Sequence, residues 1–406
     1  MRIVILIFFC LLTGLDTFTQ NTVRPRKVYS LEQAVSDKAQ LHTIAFNGLA
    51  YLTGNWGADC FFPPGKLADY FGFQYMRDND KDEKGHSSAF LTNIAHQIID
   101  ILSPDQREQL IQLARQQAPL YDSFAYHRIA VTEGLRQYLA SQKPEKKLNQ
   151  KRLIDCYEEL YALDGALSLN RARTLGNIIL KLNEQQKKRL QMLPYDHSTD
   201  WEPIPEAIDK KQLTHREHVA VMTYASELFS WYKGTIDADV YFCPERHGTC
   251  FGGFYLKDFP AMAKHDYNIS TSLTGDAGKQ FIALLNAEQK RLLLILPEKQ
   301  RLVMEQVVKD RTTICTELRK CMRGEAINVP VFNEAIQSYG QQDGTMTSLY
   351  AETFANLSKT LTEEQRRQMR TIRNQDLLPK GLYLFADEIS LAHYRTIIKE
   401  QISFLE

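Results

Sequence analysis

Apolar residues recur every three or four positions along most of the chain, the spacing that builds one buried helix face. Leu110/Leu113, Leu190/Leu193, Leu292/Leu293/Leu296 and Met369/Ile372 show this rhythm, each set just after a break in the pattern. The breaks share a form: Leu102-Ser103-Pro104-Asp105-Gln106, Leu182-Asn183-Glu184-Gln185-Gln186, Leu285-Asn286-Ala287-Glu288-Gln289 and Leu361-Thr362-Glu363-Glu364-Gln365. Each predicts a capping box. Ser103, Asn183, Asn286 or Thr362 accepts from a backbone N–H of the new helix, and a Gln three residues on bonds back. Pro104 falls where its missing N–H is harmless, and acidic residues fill first turns where the helix dipole favours them. The expected fold is all-α.

Two segments break this rhythm differently. Gly54–Gly65 and the stretch holding Gly234, Pro244, Gly248, Gly252 and Gly253 cannot continue a helix. Their aromatics, among them Phe61, Phe62, Tyr75, Tyr241, Phe242 and Tyr255, predict ordered loops packed over the helices. Residues 43–78 align without a gap on residues 223–258, with Thr43/Thr223, Gly54/Gly234, Asp59/Asp239, Pro64/Pro244 and Tyr75/Tyr255 among the identities. A second echo pairs Asp164-Gly165 with Asp343-Gly344, then Ala172/Ala351 and Asn177/Asn356. The pattern predicts a duplicated helical-bundle or helical-hairpin scaffold. The halves are residues 20–195 and 211–406. A linker at 196–210 would join them where Pro194, Pro203 and Pro205 interrupt the helices.

The junctions carry a family resemblance. Leu361-Thr362-Glu363-Glu364-Gln365 matches the LTxxQ motif in full and the other three match it in relaxed form. In this the chain resembles the periplasmic LTxxQ-motif proteins of the Spy and CpxP type. The resemblance implies helical hairpins and a role as an envelope chaperone or stress sensor; related proteins bind metal. This chain is longer, carries four copies, bears cysteine-rich segments and lacks a strongly basic face.

The N-terminus adds a location. Arg2 followed by the apolar run Ile3–Leu12 and a small-residue site before Gln20 reads as a signal peptide over residues 1–19, and predicts a periplasmic or secreted protein. No later run is apolar and long enough to span a bilayer. Lys and Arg total 49, matched by 49 Asp and Glu, so net charge argues for neither a nucleic acid nor an anionic membrane as partner.

Export changes how the cysteines read. Cys60, Cys156, Cys243, Cys250, Cys315 and Cys321 remain after the leader, and an even count in an oxidising compartment favours disulfides. Cys315 and Cys321 should lie on different faces of one helix, so each pairs elsewhere, with Cys156 available, or stays buried. Cys243 and Cys250 flank His247; they could close a short disulfide loop, or bind zinc or copper as Cys243/His247/Cys250. A bridge from Cys60 to Cys243 competes.

The duplicated acids are the remaining candidates. Asp59 and Asp239 precede the aromatic loops and could cap a turn or touch a ligand. Asp164 and Asp343 sit in helices beside Gly165 and Gly344, where glycine costs about 1 kcal/mol against alanine. That cost points to close helix approach or a cavity, and a buried Asp there needs a partner such as Arg171, Arg173 or a tyrosine. The other histidines show no metalloprotease spacing. The function expected is an exported non-enzymatic scaffold binding a protein, hydrophobic ligand or metal. The alternatives are a redox or metal enzyme using Cys243, His247 and Asp239, and a periplasmic chaperone.

Overall fold

The computed structural model describes residues 37–53, 89–141, 147–194, 201–233 and 272–372, with the short stretches 383–384 and 387–388. Eleven α-helices lie among these residues: α1 (Asp37–Thr53), α2 (Ala89–Ile101), α3 (Pro104–Ala140), α4 (Gln150–Leu180), α5 (Glu184–Met192), α6 (His215–Lys233), α7 (Ser272–Leu284), α8 (Ala287–Leu294), α9 (Leu296–Arg323), α10 (Val329–Ser358) and α11 (Glu363–Ile372). A two-residue antiparallel ladder joins Tyr383–Leu384 to Asp387–Glu388. Among the described residues, no helix is long and apolar enough to cross a membrane. The fold is all-α, as the periodicity predicts. The signal-peptide residues, Cys60, Cys243, Cys250, His247, Asp59, Asp239 and the Gly/Pro/aromatic loops lie outside the described residues.

All four predicted capping boxes are present. Ser103, Asn183 and Asn286 each cap a helix whose third residue, Gln106, Gln186 or Gln289, bonds back to the cap amide. Thr362 accepts from the Gln365 amide at 3.2 Å and donates its own N–H to Gln365 Oε1 at 2.9 Å. The sequence did not reveal that these glutamines also meet in pairs. Gln186 Nε2 donates to Gln106 Oε1 at 2.7 Å and to the Ile101 carbonyl at 2.9 Å, tying the α2–α3 corner to the α4–α5 corner. In the other half, Gln365 Nε2 donates to Gln289 Oε1 at 2.9 Å and to the Leu284 carbonyl at 2.7 Å. Each helix end leaves carbonyls without intrahelical partners. A buried carboxamide satisfies one and locks two corners together.

The opening helices cross between the halves. α1 packs mainly on α7, and also on α9, while α6 packs on α2 and α3. The α1–α7 crossing is close: a Cβ on Gly278 would lie 2.2 Å from the His42 carbonyl oxygen. The spatial groups are therefore α2–α6 and α1 with α7–α11, offset by one helix from the sequence halves. The segment at 201–210 packs within the first group, with Trp201 buried edge-on against Phe229 at 5.5 Å between ring centres.

The central seam joins the groups through α4 and α10, the most extensive helix pair among the described residues, with α9 against both. The Asp-Gly pairs explain the approach. A Cβ on Gly344 would lie 3.0 Å from Ile154 Cα, and one on Gly340 3.0 Å from Glu158 Cα. One on Gly165 would lie 2.9 Å from the Ile336 side chain. Of the two expectations for these glycines, close helix approach is the one observed.

The disulfide expectation requires a correction for three of the cysteines. Cys156 on α4 and Cys315 and Cys321 on α9 form no disulfide among the described residues. Cys156 and Cys315 are buried, and Cys321 is partly so. Both α9 cysteines sit in one regular helix, as expected, which separates them. Burial pushes the Cys156 thiol up to about 11 and raises that of Cys321, so these thiols stay protonated and weakly nucleophilic.

Candidate functional site

Two features are candidates: the buried polar seam holding Asp164 and Asp343, and an open polar cleft. The seam is built from two facing stripes at helical spacing. On α4 they are Tyr157, Tyr161, Asp164, Ser168 and Arg171; on α10, Tyr339, Asp343, Thr347 and Tyr350, all fully enclosed. Apolar periodicity does not detect such stripes, because their members are polar yet occupy core positions. The signal was there in the three-and-four spacing of Tyr157, Tyr161, Asp164, Ser168 and Arg171.

Of the partners weighed for the buried acids, Asp343 finds a tyrosine: Tyr161 OH donates to Asp343 Oδ2 at 2.9 Å across the seam. The Tyr161 ring lies 4.9 Å from that of Tyr339. Thr347 Oγ1 donates to Tyr157 OH at 2.9 Å. Tyr350 OH donates to Gln300 Oε1 on α9; burial first, then the Asp343 charge, holds this phenol well above its usual range and protonated. Arg171, named in the sequence as a possible partner for the acids, forms an ion pair with Glu227 of α6, Nε to Oε2 3.2 Å, both side chains almost wholly out of solvent. Tyr224 of α6 donates to Gln117 Oε1 at 2.7 Å, and Gln117 Nε2 donates to the Leu167 carbonyl at 3.0 Å. Buried charges demand such partners. The seam's polar side chains are closed to solvent, and Asp343 ties α10 to α4 through Tyr161.

The cleft lies between α3 and α4 and has a volume of about 350 Å³. Asp105, Glu108, Gln112 and Gln116 line one wall and Arg173 and Asn177 the other, over the side chain of Leu113. Asn177 Nδ2 donates to Gln109 Oε1 at 2.6 Å, bridging the walls, and Gln112 Nε2 donates to Glu108 Oε1 at 2.5 Å. Exposed carboxamides present donor and acceptor together, so the surface suits a polar partner. Arg173, weighed in the sequence only as a partner for the acids, stands exposed at this wall.

Among the described residues, no group of three or more His, Cys, Asp or Glu side chains is placed to hold a metal ion. The Cys243/His247/Cys250 set and Asp59 and Asp239 fall outside those residues.

Fold and site together define an all-α protein of two interleaved helical groups joined by a sealed polar seam. The chain matches no protein-family model, curated protein or solved structure.

Proposed function

We propose that this chain is an exported, non-enzymatic helical scaffold that binds a partner on its outer surface, at the α3–α4 cleft, in envelope homeostasis. Export rests on the Arg2-led apolar leader, and the envelope role on the LTxxQ resemblance of the four junctions. The observation that carries the binding site is the contrast in access between the seam and the cleft. Asp164 and Asp343 are fully buried, and the helices around them approach to within contact at Gly165, Gly340 and Gly344. An apolar ligand would have to prise that seam apart, whereas the cleft offers polar groups already in solvent. The buried, protonated thiols suit an oxidising compartment, because the thiolate is the species that enters disulfide exchange.

Site-specific photocrosslinking tests this reading. A photoreactive residue replaces Gln112 in the cleft or, as a control, Glu334 on the outer surface of α10, in cells of the source organism. A discrete adduct at the Gln112 position, lost when Arg173→Glu is added, is the expected result. Equal labelling at both positions, or none in the cleft, rejects the cleft as the binding site.

A further inference from the structure

The segment entering α6 is docked by a cluster that the spacing of the histidines does not disclose. Glu206 stands on that segment with its side chain 12 % exposed, and three groups from three elements converge on it. Lys210 of the following 3-10 turn places Nζ 2.8 Å from Oε2. His218 of α6 bonds Oε1 through Nε2. His96 of α2 places Nε2 3.8 Å from Oε2. Beside it, Gln97 Nε2 donates to the Glu202 carbonyl at 3.0 Å, and Trp201 is buried against Phe229. The far end is fixed separately: the Thr214 amide donates to Glu217 Oε2 at 2.7 Å, and Arg115 pairs with Glu217 and donates to the Gln212 carbonyl.

We propose that Glu206, gripped by Lys210, His96 and His218, is an acid-releasable clasp that docks residues 201–212 across α2 and α6. One carboxylate serves one fixed cation and two imidazole rings. Protonating His96 sets a further cation beside Lys210 in a half-buried site, and burial and that repulsion oppose docking. The charged groups acting on His96 are Glu206, which favours its cationic form, and Lys210 and His218, which oppose it. Burial is the largest influence and also opposes it, so the His96 pKa lies below 6.5. For Glu206, burial acts upward, but the bonds from Lys210 and His218 outweigh it and bring its pKa below 4.5.

Both shifts have one sign. A group that binds its proton less well when docked makes docking favourable above its free pKa, and that contribution drains as pH falls. The His96 contribution is lost as pH falls from about 6.5 toward its docked value, and the Glu206 contribution as pH falls from about 4.5 toward its own. Release exposes Trp201 and the α2 and α6 surface beneath, so acidity would govern access to that face.

Hydrogen exchange by mass spectrometry, from about pH 8 to about pH 5 and corrected for intrinsic rates, reads this directly. Residues 201–212 should lose protection by about tenfold, while α4 and α10 stay protected. The H96F/H218F double variant should lose the step. E206Q should leave the segment poorly protected even at the upper pH. Wild-type protection that is flat with pH overturns the proposal, as does a step of unchanged size in H96F/H218F. Retained α4 and α10 protection in each variant separates loss of the clasp from loss of the fold.

Discussion

The two helical groups use the same joints and different interiors. In both, a cap residue and a glutamine close each corner, and two such glutamines pair across corners: Gln106 with Gln186, and Gln289 with Gln365. In both, an asparagine, Asn149 or Asn328, caps the long seam helix. In both, a buried glutamine, Gln117 or Gln300, accepts from a tyrosine. The interiors part at positions 171 and 350, which the sequence echo of Asp164-Gly165 in Asp343-Gly344 aligns. Arg171 forms an ion pair with Glu227, whereas Tyr350 bonds the neutral Gln300. Helix ends always present the same unsatisfied backbone groups, so one solution serves twice. A buried side chain needs only some complementary partner, so the interior is free to differ.

The largest expected effect tests that difference. Arg171→Met leaves Glu227 charged and buried and should lower the unfolding free energy by about 3–5 kcal/mol. Tyr350→Phe removes one neutral hydrogen bond at the aligned position and should cost about 1–2 kcal/mol. Urea denaturation of the two variants decides it; equal losses would break the contrast.

A smaller effect separates the two Asp-Gly pairs. In Gly344→Ala the new methyl meets the Ile154 backbone, which cannot rotate away, and the loss should be about 1–3 kcal/mol. In Gly165→Ala the nearest atoms belong to the Ile336 side chain rather than to backbone, and alanine's helix preference returns about 1 kcal/mol. Thermal melts should rank Gly344→Ala below Gly165→Ala, and the reverse order would show that α10, not Ile336, yields.

The smallest difference is expected at the joints. Gln186→Ala and Gln365→Ala each remove a back-bonding cap partner and a cross-corner bond, and each should cost about 1–2 kcal/mol. Matching losses in urea would support equivalent joints; a clear inequality would place the two corners in different roles.

Much of the architecture was legible along the chain. Thr362 and Gln365, or Asn286 and Gln289, reveal a helix start because cap and partner lie within one turn of each other. Gly165 and Gly344 announced close packing, and Asp343 its need for a buried partner, with a tyrosine among those weighed. An even count says nothing of whether two thiols meet, and Cys156, Cys315 and Cys321 form no disulfide among the described residues. The clasp escaped notice because His96, Glu206 and His218 are dispersed along the chain and converge only when α2 and α6 pack.

By itself, then, the sequence determined the helices, their four capped corners and the two glycine contacts on the seam. These depend on residues within a turn or two of each other, or on the size of a single side chain. Tertiary structure alone decided the crossing of the opening helices, the pairing of the glutamines, the partners of Arg171 and Tyr350, and the lack of a disulfide among Cys156, Cys315 and Cys321. Those depend on which helix faces meet, and a face accepts any neighbour that fills its space and satisfies its polar groups.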